Sequence, residues 1–294
     1  MNKAILRFPD FKAKAFTLTY DDGLKYDDKL VALMKKYGFK GTFNINSELC
    51  AQEPQVYSAS ARMTIEECVA LFHDSGNEVA VHGAHHVPLI AVERSFATQE
   101  IISDRRNLEQ AFKQVIKGMA YPYSGAYDEE TKEVIKNCGI AYARTAKYTH
   151  SFELPADWLL LNPTCHQADK VLFELAQEFA DFQFEKVQWK WYRNTLKWFT
   201  VLGHSAEHAR DNSWNRIEKL GEILGNRGDI WYATTGEVYD YVQAFERLEF
   251  SVDNRLVRNK SVLDVYLTLN DKNYVIPAGK TVVIGELSLG KELL

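Results

Sequence analysis

Short apolar runs alternate with amphipathic segments along most of the chain. Residues 15–20 and 41–45 have the length and apolar character of buried strands. Between them, residues 26–37 carry apolar side chains at helical spacing, and Gly38 follows as a stop signal. The pattern at residues 15–45 therefore predicts a strand, a helix and a second strand.

The same pattern continues downstream. It predicts helices at residues 64–75, 96–116, 128–137, 171–181, 213–224 and 235–247, and strands at 78–81, 118–121, 139–144, 198–202 and 229–233. Strands that alternate with helices at this spacing predict a parallel α/β architecture. In such folds the chemistry lies at the carboxyl ends of the strands.

The pattern changes near residue 248. Strands are predicted at residues 248–252, 261–269, 274–276 and 281–287, with a hairpin loop at 270–273. We therefore predict a main domain at 1–247 and a small β appendage at 248–294. The appendage is too short for a core of its own, so we expect it to pack on the main domain.

Composition narrows the functional classes. The 294 residues are 46% hydrophobic and 26% charged, which is typical of a soluble globular protein. A net charge of −5 gives no support for a nucleic acid partner. No run of about 18 apolar residues predicts a membrane span, and the first ten residues lack the apolar core of a secretory signal. We therefore expect a cytoplasmic protein without membrane insertion, whose oligomeric state the sequence leaves open.

The cysteines are few and widely spaced. None of them forms a C-x-x-C pair, and a chain of this length does not need a disulfide framework. We expect buried free thiols at Cys50, Cys68, Cys138 and Cys165.

Candidate metal ligands follow two predicted strands. Asp21 and Asp22 come after the strand at 15–20, and His82 and His86 come after the strand at 78–81. On a helix or in a tight turn, two histidines at this spacing can face one metal ion, and a neighbouring carboxylate can act as a base. Alone, each motif is weak, because paired histidines are more often surface groups and Asp-Asp-Gly often marks a turn. His85 is expected to point elsewhere.

Two further strand ends carry polar groups. Pro122 and Tyr123 follow the strand at 118–121, and His204 follows the strand at 198–202. Because the carboxyl ends of parallel strands meet at one edge, these segments predict one shared site.

In this order, the segments resemble the motifs of the polysaccharide deacetylase family, the NodB-homology domain of carbohydrate esterase family four. TYDDG at 19–23 is similar to the family's T-F-D-D-G, and GNEVAVHGAHH at 76–86 to its second motif, G-x-E-[IV]-x-x-H-[ST]-x-x-H. AYPYSGAYDEET at 120–131 resembles R-x-P-Y-G, and FTVLGHS at 199–205 resembles a strand ending in L-x-H. The resemblance covers residues 17–204 and implies an irregular (β/α) barrel, here with a small C-terminal β extension.

The resemblance also implies roles. The family's divalent metal, most often Zn²⁺ with Co²⁺ or Ni²⁺ as alternatives, would be bound by Asp22, His82 and His86. Asp21 would be the general base for the metal-bound water, and His204 the general acid for the leaving amine. The N–H of Tyr123, next to Pro122, would help to hold the oxyanion.

Two positions depart from the family pattern. Ala120 stands where the third motif has an arginine that orients the catalytic aspartate, and Arg144 or Lys147 is a candidate to replace it. Gly83 stands where a serine or threonine follows the first histidine, so a hydroxyl that would brace the loop is missing.

The fourth motif is least clear. Asp157 is the candidate to orient His204, and Trp158 the candidate to wall the acetyl pocket; a turn residue and a packing residue are the alternatives. His166 is a further candidate for the cleft, and His208 is expected to be exposed. Two roles are possible for the indoles at 189, 191, 198 and 214: stacking on sugar rings or packing in the core.

The resemblance implies a metal-dependent hydrolase that removes acetyl groups from an N-acetylated sugar or polysaccharide. A hydrolase of another amide or of an O-acetyl ester is the first alternative, which Ala120 favours. A non-catalytic carbohydrate-binding protein is the second.

Overall fold

The computed structural model describes residues 4–123, 126–184 and 196–284. The helices are α1 (Asp27–Lys36), α2 (Ile65–Phe72), α3 (Arg94–Phe112), α4 (Glu129–Asn137), α5 (Leu172–Asp181), α6 (Ser205–Arg210), α7 (Trp214–Leu224) and α8 (Thr235–Glu246). The strands are β1 (Ile5–Arg7), β2 (Lys14–Asp21), β3 (Gly41–Ile45), β4 (Glu78–Val81), β5 (Gly118–Ala120), β6 (Tyr142–Arg144), β7 (Cys165–His166), β8 (Lys197–Gly203), β9 (Ile230–Tyr232), β10 (Glu249–Phe250), β11 (Leu256–Arg258), β12 (Val265–Leu269), β13 (Lys272–Ile276) and β14 (Thr281–Val283).

A curled parallel sheet forms the centre of the molecule. Its strands run in the order β6-β5-β4-β3-β2-β8-β7, and β9 pairs with the beginning of β2. Leu161 bridges to Arg144 on β6, and Cys165 pairs with Val201 on β8. The segment between Leu161 and Cys165 thus joins the two edges, which confirms the predicted irregular (β/α) barrel.

The central strand explains why the barrel has this order. All eight residues of β2 are buried, since β2 has neighbours on both sides and helices over its outer face. Phe16, Leu18 and Tyr20 belong to the main hydrophobic cluster together with side chains from the surrounding helices. A run that is buried on both faces is typical of a parallel strand.

The predicted helices and strands of the main domain are present, with bounds that differ by a few residues. The sequence reading missed β1, β7, β11 and α6, which have only two to six residues each. The predicted strand at 281–287 is described only as far as Ile284, and its remainder lies outside the described residues.

The C-terminal strands form two antiparallel three-stranded sheets, β1-β12-β13 and β10-β11-β14. A separate apolar cluster, including Val257, Leu267 and Ile276, lies beneath them. The N-terminal strand β1 belongs to the first of these sheets, a pairing that the sequence reading did not anticipate. The β12–β13 hairpin turns at Asn270 and Asp271, both with positive φ, so its loop is shorter than predicted.

All four cysteines are free thiols, as predicted, and three of them are buried while Cys50 is half-buried. Within the described ranges, no helix combines the length and the apolar character that crossing a membrane requires.

Candidate active site

The polar residues predicted at strand ends meet at the carboxyl edge of the barrel. Asp21 ends β2, His82 follows β4, and His204 follows β8. Asp22 leaves β2 with a φ of 83° and Gly23 follows with a φ of 64°, so the chain turns sharply there. The turn directs the Asp22 carboxylate towards the two histidines of the second segment.

Asp22, His82 and His86 form a group with metal-ligand geometry. The Asp22 Oδ1 lies 3.9 Å from the His82 Nε2 and 3.8 Å from the His86 Nε2. Ligands of a tetrahedral Zn²⁺ at about 2.0–2.1 Å lie roughly 3.4 Å apart, so small side-chain movements would close this group around an ion. The Asp22 Oδ1 is buried and accepts no hydrogen bond from the described residues, although the Arg62 Nη2 forms an ion pair with it at 3.5 Å. An ion is one explanation for such an oxygen.

Hydrogen bonds fix the orientation of His82. Its Nδ1 donates to the carbonyl of Ala120 at 2.9 Å, which leaves the Nε2 lone pair for a metal. Its backbone N–H donates to the buried carboxylate of Asp104 at 2.9 Å. His85 points away, as expected, with its Nδ1 2.7 Å from the Glu100 Oε1.

A tight turn, and not a helix, brings His86 back towards His82. Gly83 has a φ of 77° and His86 a φ of 55°, both in the left-handed region. The Asn46 amide donates to the carbonyls of His82 and Gly83 at 2.7 and 2.8 Å. These bonds brace the loop where the family's serine or threonine hydroxyl is missing.

Asp21 lies beside the metal-ligand group and is held by a guanidinium. The Arg144 Nη2 is 2.5 Å from both carboxylate oxygens, and the Asn44 Nδ2 donates to Oδ1 at 2.8 Å. Burial of the Asp21 carboxylate opposes its charge, but Arg144 and His82 outweigh burial and hold the pKa of Asp21 well below its ordinary value.

Arg144 supplies the guanidinium that is missing at position 120. Ala120 on β5 pairs in register with Arg144 on β6, so the two residues are neighbours across the sheet. Of the two replacements that the sequence suggested, Arg144 makes this contact with Asp21.

His204 also lies beside the metal-ligand group. Its Nε2 is 3.9 Å from the Asp22 Oδ2, and its Nδ1 is 3.2 Å from the Glu207 Oε1. Burial lowers the pKa of His204, but the hydrogen bond to Glu207 and the charges of Asp21 and Asp22 raise it to about 9.

The prediction that Asp157 orients His204 is wrong. Asp157 caps the short 3₁₀ helix Trp158–Leu160 by accepting from the Leu159 N–H at 2.9 Å, and its carboxylate pairs with Lys132 at 2.9 Å. The carboxylate at His204 belongs to Glu207, which the sequence reading did not single out. Its position, three residues after the histidine on α6, was the available signal.

Trp158 is a packing residue, the alternative that the sequence left open. Its ring lies 5.9 Å from Trp198 and makes an edge contact with Tyr239 at 5.2 Å. The indole of Trp198 is only 2% exposed and is also part of the core, whereas Trp214 is half-buried. Trp189 and Trp191 lie outside the described residues.

Tyr123 lies at the rim of the site. Its side chain is 61% exposed, and its ring centroid is 4.8 Å from that of His86. Tyr123 follows Pro122 with a φ of 57°. The oxyanion role of the Tyr123 N–H, with Pro122 beside it, stays a prediction.

Of the two other histidines considered, His166 lies at the site and His208 in the core. His166, a candidate for the cleft, has its Nε2 3.3 Å from the Glu207 Oε2. The prediction that His208 is exposed is wrong, because this residue of α6 is buried, with its Nε2 3.2 Å from the Tyr20 hydroxyl. Burial lowers the pKa of His208 to about 4.

Comparison with known proteins shows which family and which fold this chain resembles. The family model described as polysaccharide deacetylase matches residues 9–143. No curated protein matches the sequence. A putative polysaccharide deacetylase from Mycobacterium smegmatis is 14% identical over 84% of this chain and 96% of its own, with a TM-score of 0.54, which shows a common fold.

Two other solved structures are less similar in shape. A Streptococcus pyogenes deacetylase in complex with acetate is 22% identical over 49% of this chain, with a TM-score of 0.42. A CE4 family pseudoenzyme from Bacillus anthracis is 15% identical over 77% of this chain, with a TM-score of 0.47. This chain spans 61% and 65% of their respective lengths.

Proposed function

We propose, for a chain that belongs to the polysaccharide deacetylase family through its residues 9–143, that it is a metal-dependent hydrolase of acetyl groups on an N-acetylated sugar or polysaccharide. The observation that carries the proposal is the buried Asp22 oxygen, which faces two imidazole nitrogens and accepts no hydrogen bond from the described residues. A candidate base and a candidate acid, Asp21 and His204, lie next to this ligand group.

The ligand set suits a divalent cation. Two imidazoles and one carboxylate leave open positions and are typical of a catalytic Zn²⁺ site, while Co²⁺ and Ni²⁺ are alternatives. Bound by Asp22, His82 and His86, such a cation would polarise the acetyl carbonyl and lower the pKa of a water molecule.

Asp21 is placed to accept the proton of the attacking water. Its Oδ2 lies 3.8 Å from the His82 Nε2, so the carboxylate borders the space in which the acetyl group would bind. Arg144 and Asn44 hold the carboxylate in this orientation and favour its charged form. An oriented, ionised carboxylate is what a general base requires.

His204 is placed to donate the second proton. Its Nδ1 is engaged by Glu207, so the Nε2–H is directed into the site. When the carbon–nitrogen bond breaks, this proton passes to the leaving nitrogen, and the products are acetate and a free amine. The Tyr123 N–H would stabilise the negative charge that develops on the acetyl oxygen.

The experiment compares wild type with His82→Ala and with His85→Ala as the matched control. Metal content is measured by elemental analysis, and acetate release is measured on acetylated chito-oligosaccharides in the same preparations. We expect His82→Ala to lose metal and acetate release together. His85→Ala should keep both, because the His85 side chain points towards Glu100 and away from the ligand group.

The possible failures separate the parts of the proposal. A wild type that takes up none of Zn²⁺, Co²⁺ and Ni²⁺ would overturn the ligand assignment. A wild type that binds metal but releases acetate from no acetylated amide or ester would overturn the deacetylase reaction and retain the metal site.

A further inference from the structure

Glu207 connects three side chains on the side of His204 that faces away from Asp22. Its Oε1 lies 3.2 Å from the His204 Nδ1. Its Oε2 accepts a hydrogen bond from the Gln167 Nε2 at 2.8 Å and lies 3.3 Å from the His166 Nε2. Both carboxylate oxygens therefore have partners, and the carboxylate is only about one-fifth exposed.

The hydrogen bonds define where the protons are. The Ala168 backbone N–H donates to the His166 Nδ1 at 3.1 Å, so the proton of a neutral His166 resides on Nε2 and points at Glu207. A carboxylate can only accept, so the His204 Nδ1 also carries a proton. The His204 Nε2 is left as the ring atom that faces the metal-ligand group.

The backbone holds this arrangement in place. The Gln167 N–H donates to the carbonyl of Leu202 at 2.8 Å, next to the pairing of β7 with β8. The Gln167 amide also donates to the His204 carbonyl at 2.8 Å. A Cβ on Gly203 would lie 2.3 Å from the Gln167 side chain, so glycine provides the space for that contact.

We propose that Glu207, supported by His166 and Gln167, is the positioning residue that aims the His204 Nε2–H at the leaving group. The inference rests on the proposed deacetylase function and adds to it a carboxylate that the family motifs in this chain do not mark. Glu207 acts through His204 and does not itself touch the substrate. Without this carboxylate, the His204 Nδ1–H would lose its acceptor and the imidazole its orientation.

The test uses leaving groups that differ in their need for a proton. An amine must be protonated as it leaves, whereas 4-nitrophenolate leaves as an anion. The kcat/KM of the zinc-loaded protein is measured on an acetylated chito-oligosaccharide and on 4-nitrophenyl acetate. In Glu207→Gln we expect a loss of about 100-fold on the amide and less than about threefold on the aryl ester.

Three variants serve as controls. Glu207→Asp keeps the charge and should recover part of the amide activity. His166→Gln should give a smaller loss of kcat/KM, again larger on the amide than on the aryl ester, because it removes one hydrogen-bond partner of Glu207. Glu218→Gln, an exposed carboxylate on α7, should leave both rates unchanged.

The outcomes are distinct. Equal losses on both substrates in Glu207→Gln, with metal content and thermal unfolding unchanged, would overturn the positioning role. His166, His204 and Glu207 also have ligand atoms close enough for a metal. If elemental analysis finds two metal ions per chain in wild type and one in Glu207→Gln, the positioning role is overturned in favour of a second metal site. A wild type with no amide hydrolysis would instead overturn the proposed deacetylase function, and this inference with it.

Discussion

At the scale of single residues, the guanidinium beside Asp21 comes from the strand next to the one that carries it in the family motif. The family motif has its arginine at the position of Ala120, whereas here the contact is made by Arg144 on the neighbouring strand. The Arg144 guanidinium reaches the Asp21 carboxylate because Ala120 and Arg144 are paired in register across the sheet. Sequence alone left Arg144 and Lys147 open, since strand register decides which side chain lies beside Asp21.

Arg144→Ala is expected to lower kcat/KM for acetate release by roughly 100-fold, because Asp21 loses the group that orients it. Removing one partner of a buried ion pair also costs roughly 3 kcal/mol of stability, which thermal unfolding would register. Metal content should be unchanged. Adding Ala120→Arg to this variant should restore part of the activity from the family's own position.

Exposed Arg106 provides the matched control, and Arg106→Ala should leave activity and stability unaltered. Full activity in Arg144→Ala would show that the guanidinium has no part in holding the base.

At the scale of elements, predictability depends on length and on local signals. The observed bounds of β3 and β4 agree with the predicted ones, because each short strand is preceded by a turn that contains glycine. The two-residue strand β7 has no such signal, since it exists through its pairing with β8. Because β7 and α6 were not predicted, two residues that contact His204 were also missed: Gln167, which follows β7, and Glu207 on α6.

The N-terminus of α2 offers a test of a local signal. The Thr64 hydroxyl accepts from the Glu67 N–H at 3.1 Å, and the Glu67 carboxylate accepts from the Thr64 N–H at 3.0 Å, which is a capping box. Thr64→Ala should lower the free energy of unfolding by about 1 kcal/mol. Urea unfolding would measure it.

Thr98 is the control within a helix, because its exposed hydroxyl bonds back to the Arg94 carbonyl in the first turn of α3. Thr98→Ala should change the free energy of unfolding by no more than about 0.5 kcal/mol. Equal effects of the two substitutions would contradict the capping assignment.

At the scale of the whole molecule, the two ends of the barrel have different chemistry. Glu78, at the start of β4 and remote from the site, accepts hydrogen bonds from Thr42 Oγ1, the Gly236 N–H and the Tyr142 hydroxyl. Burial outweighs these bonds and raises the pKa of Glu78 to about 7. The carboxyl group is therefore protonated in the folded protein well above the ordinary pKa of glutamate.

This raised pKa predicts a pH dependence of stability. Between about pH 4.5 and 7 the folded state holds a proton that the unfolded state has released, so the Glu78 contribution to stability falls as the pH rises. Because of Glu78, we expect the free energy of unfolding to fall by roughly 1–3 kcal/mol between pH 5 and 8. Glu78→Gln should remove this component, as free energies of unfolding at both pH values would show.

Glu222, an exposed carboxylate on α7, is the control: Glu222→Gln should keep the wild-type slope of stability against pH. A Glu78→Gln variant with that same slope would contradict the assignment of a raised pKa to Glu78.

The sequence reading captured the barrel and the residues at its strand ends better than the organisation of the chain as a whole. Periodicity reports on neighbouring residues, so it located the β appendage from 248 onwards but gave no sign that β1 belongs to the same sheet as β12 and β13. That pairing depends on contacts between opposite ends of the described chain, which no local pattern encodes.

The β1–β12 pairing has a consequence for the order of events during protein synthesis. Ile5 pairs with Thr268, and at about 5–20 residues per second a ribosome would make the second strand between roughly ten seconds and a minute after the first. The barrel strands emerge in this interval, while β1 has no partner. The sheet that contains β1 thus forms only after the strands of the barrel have been made.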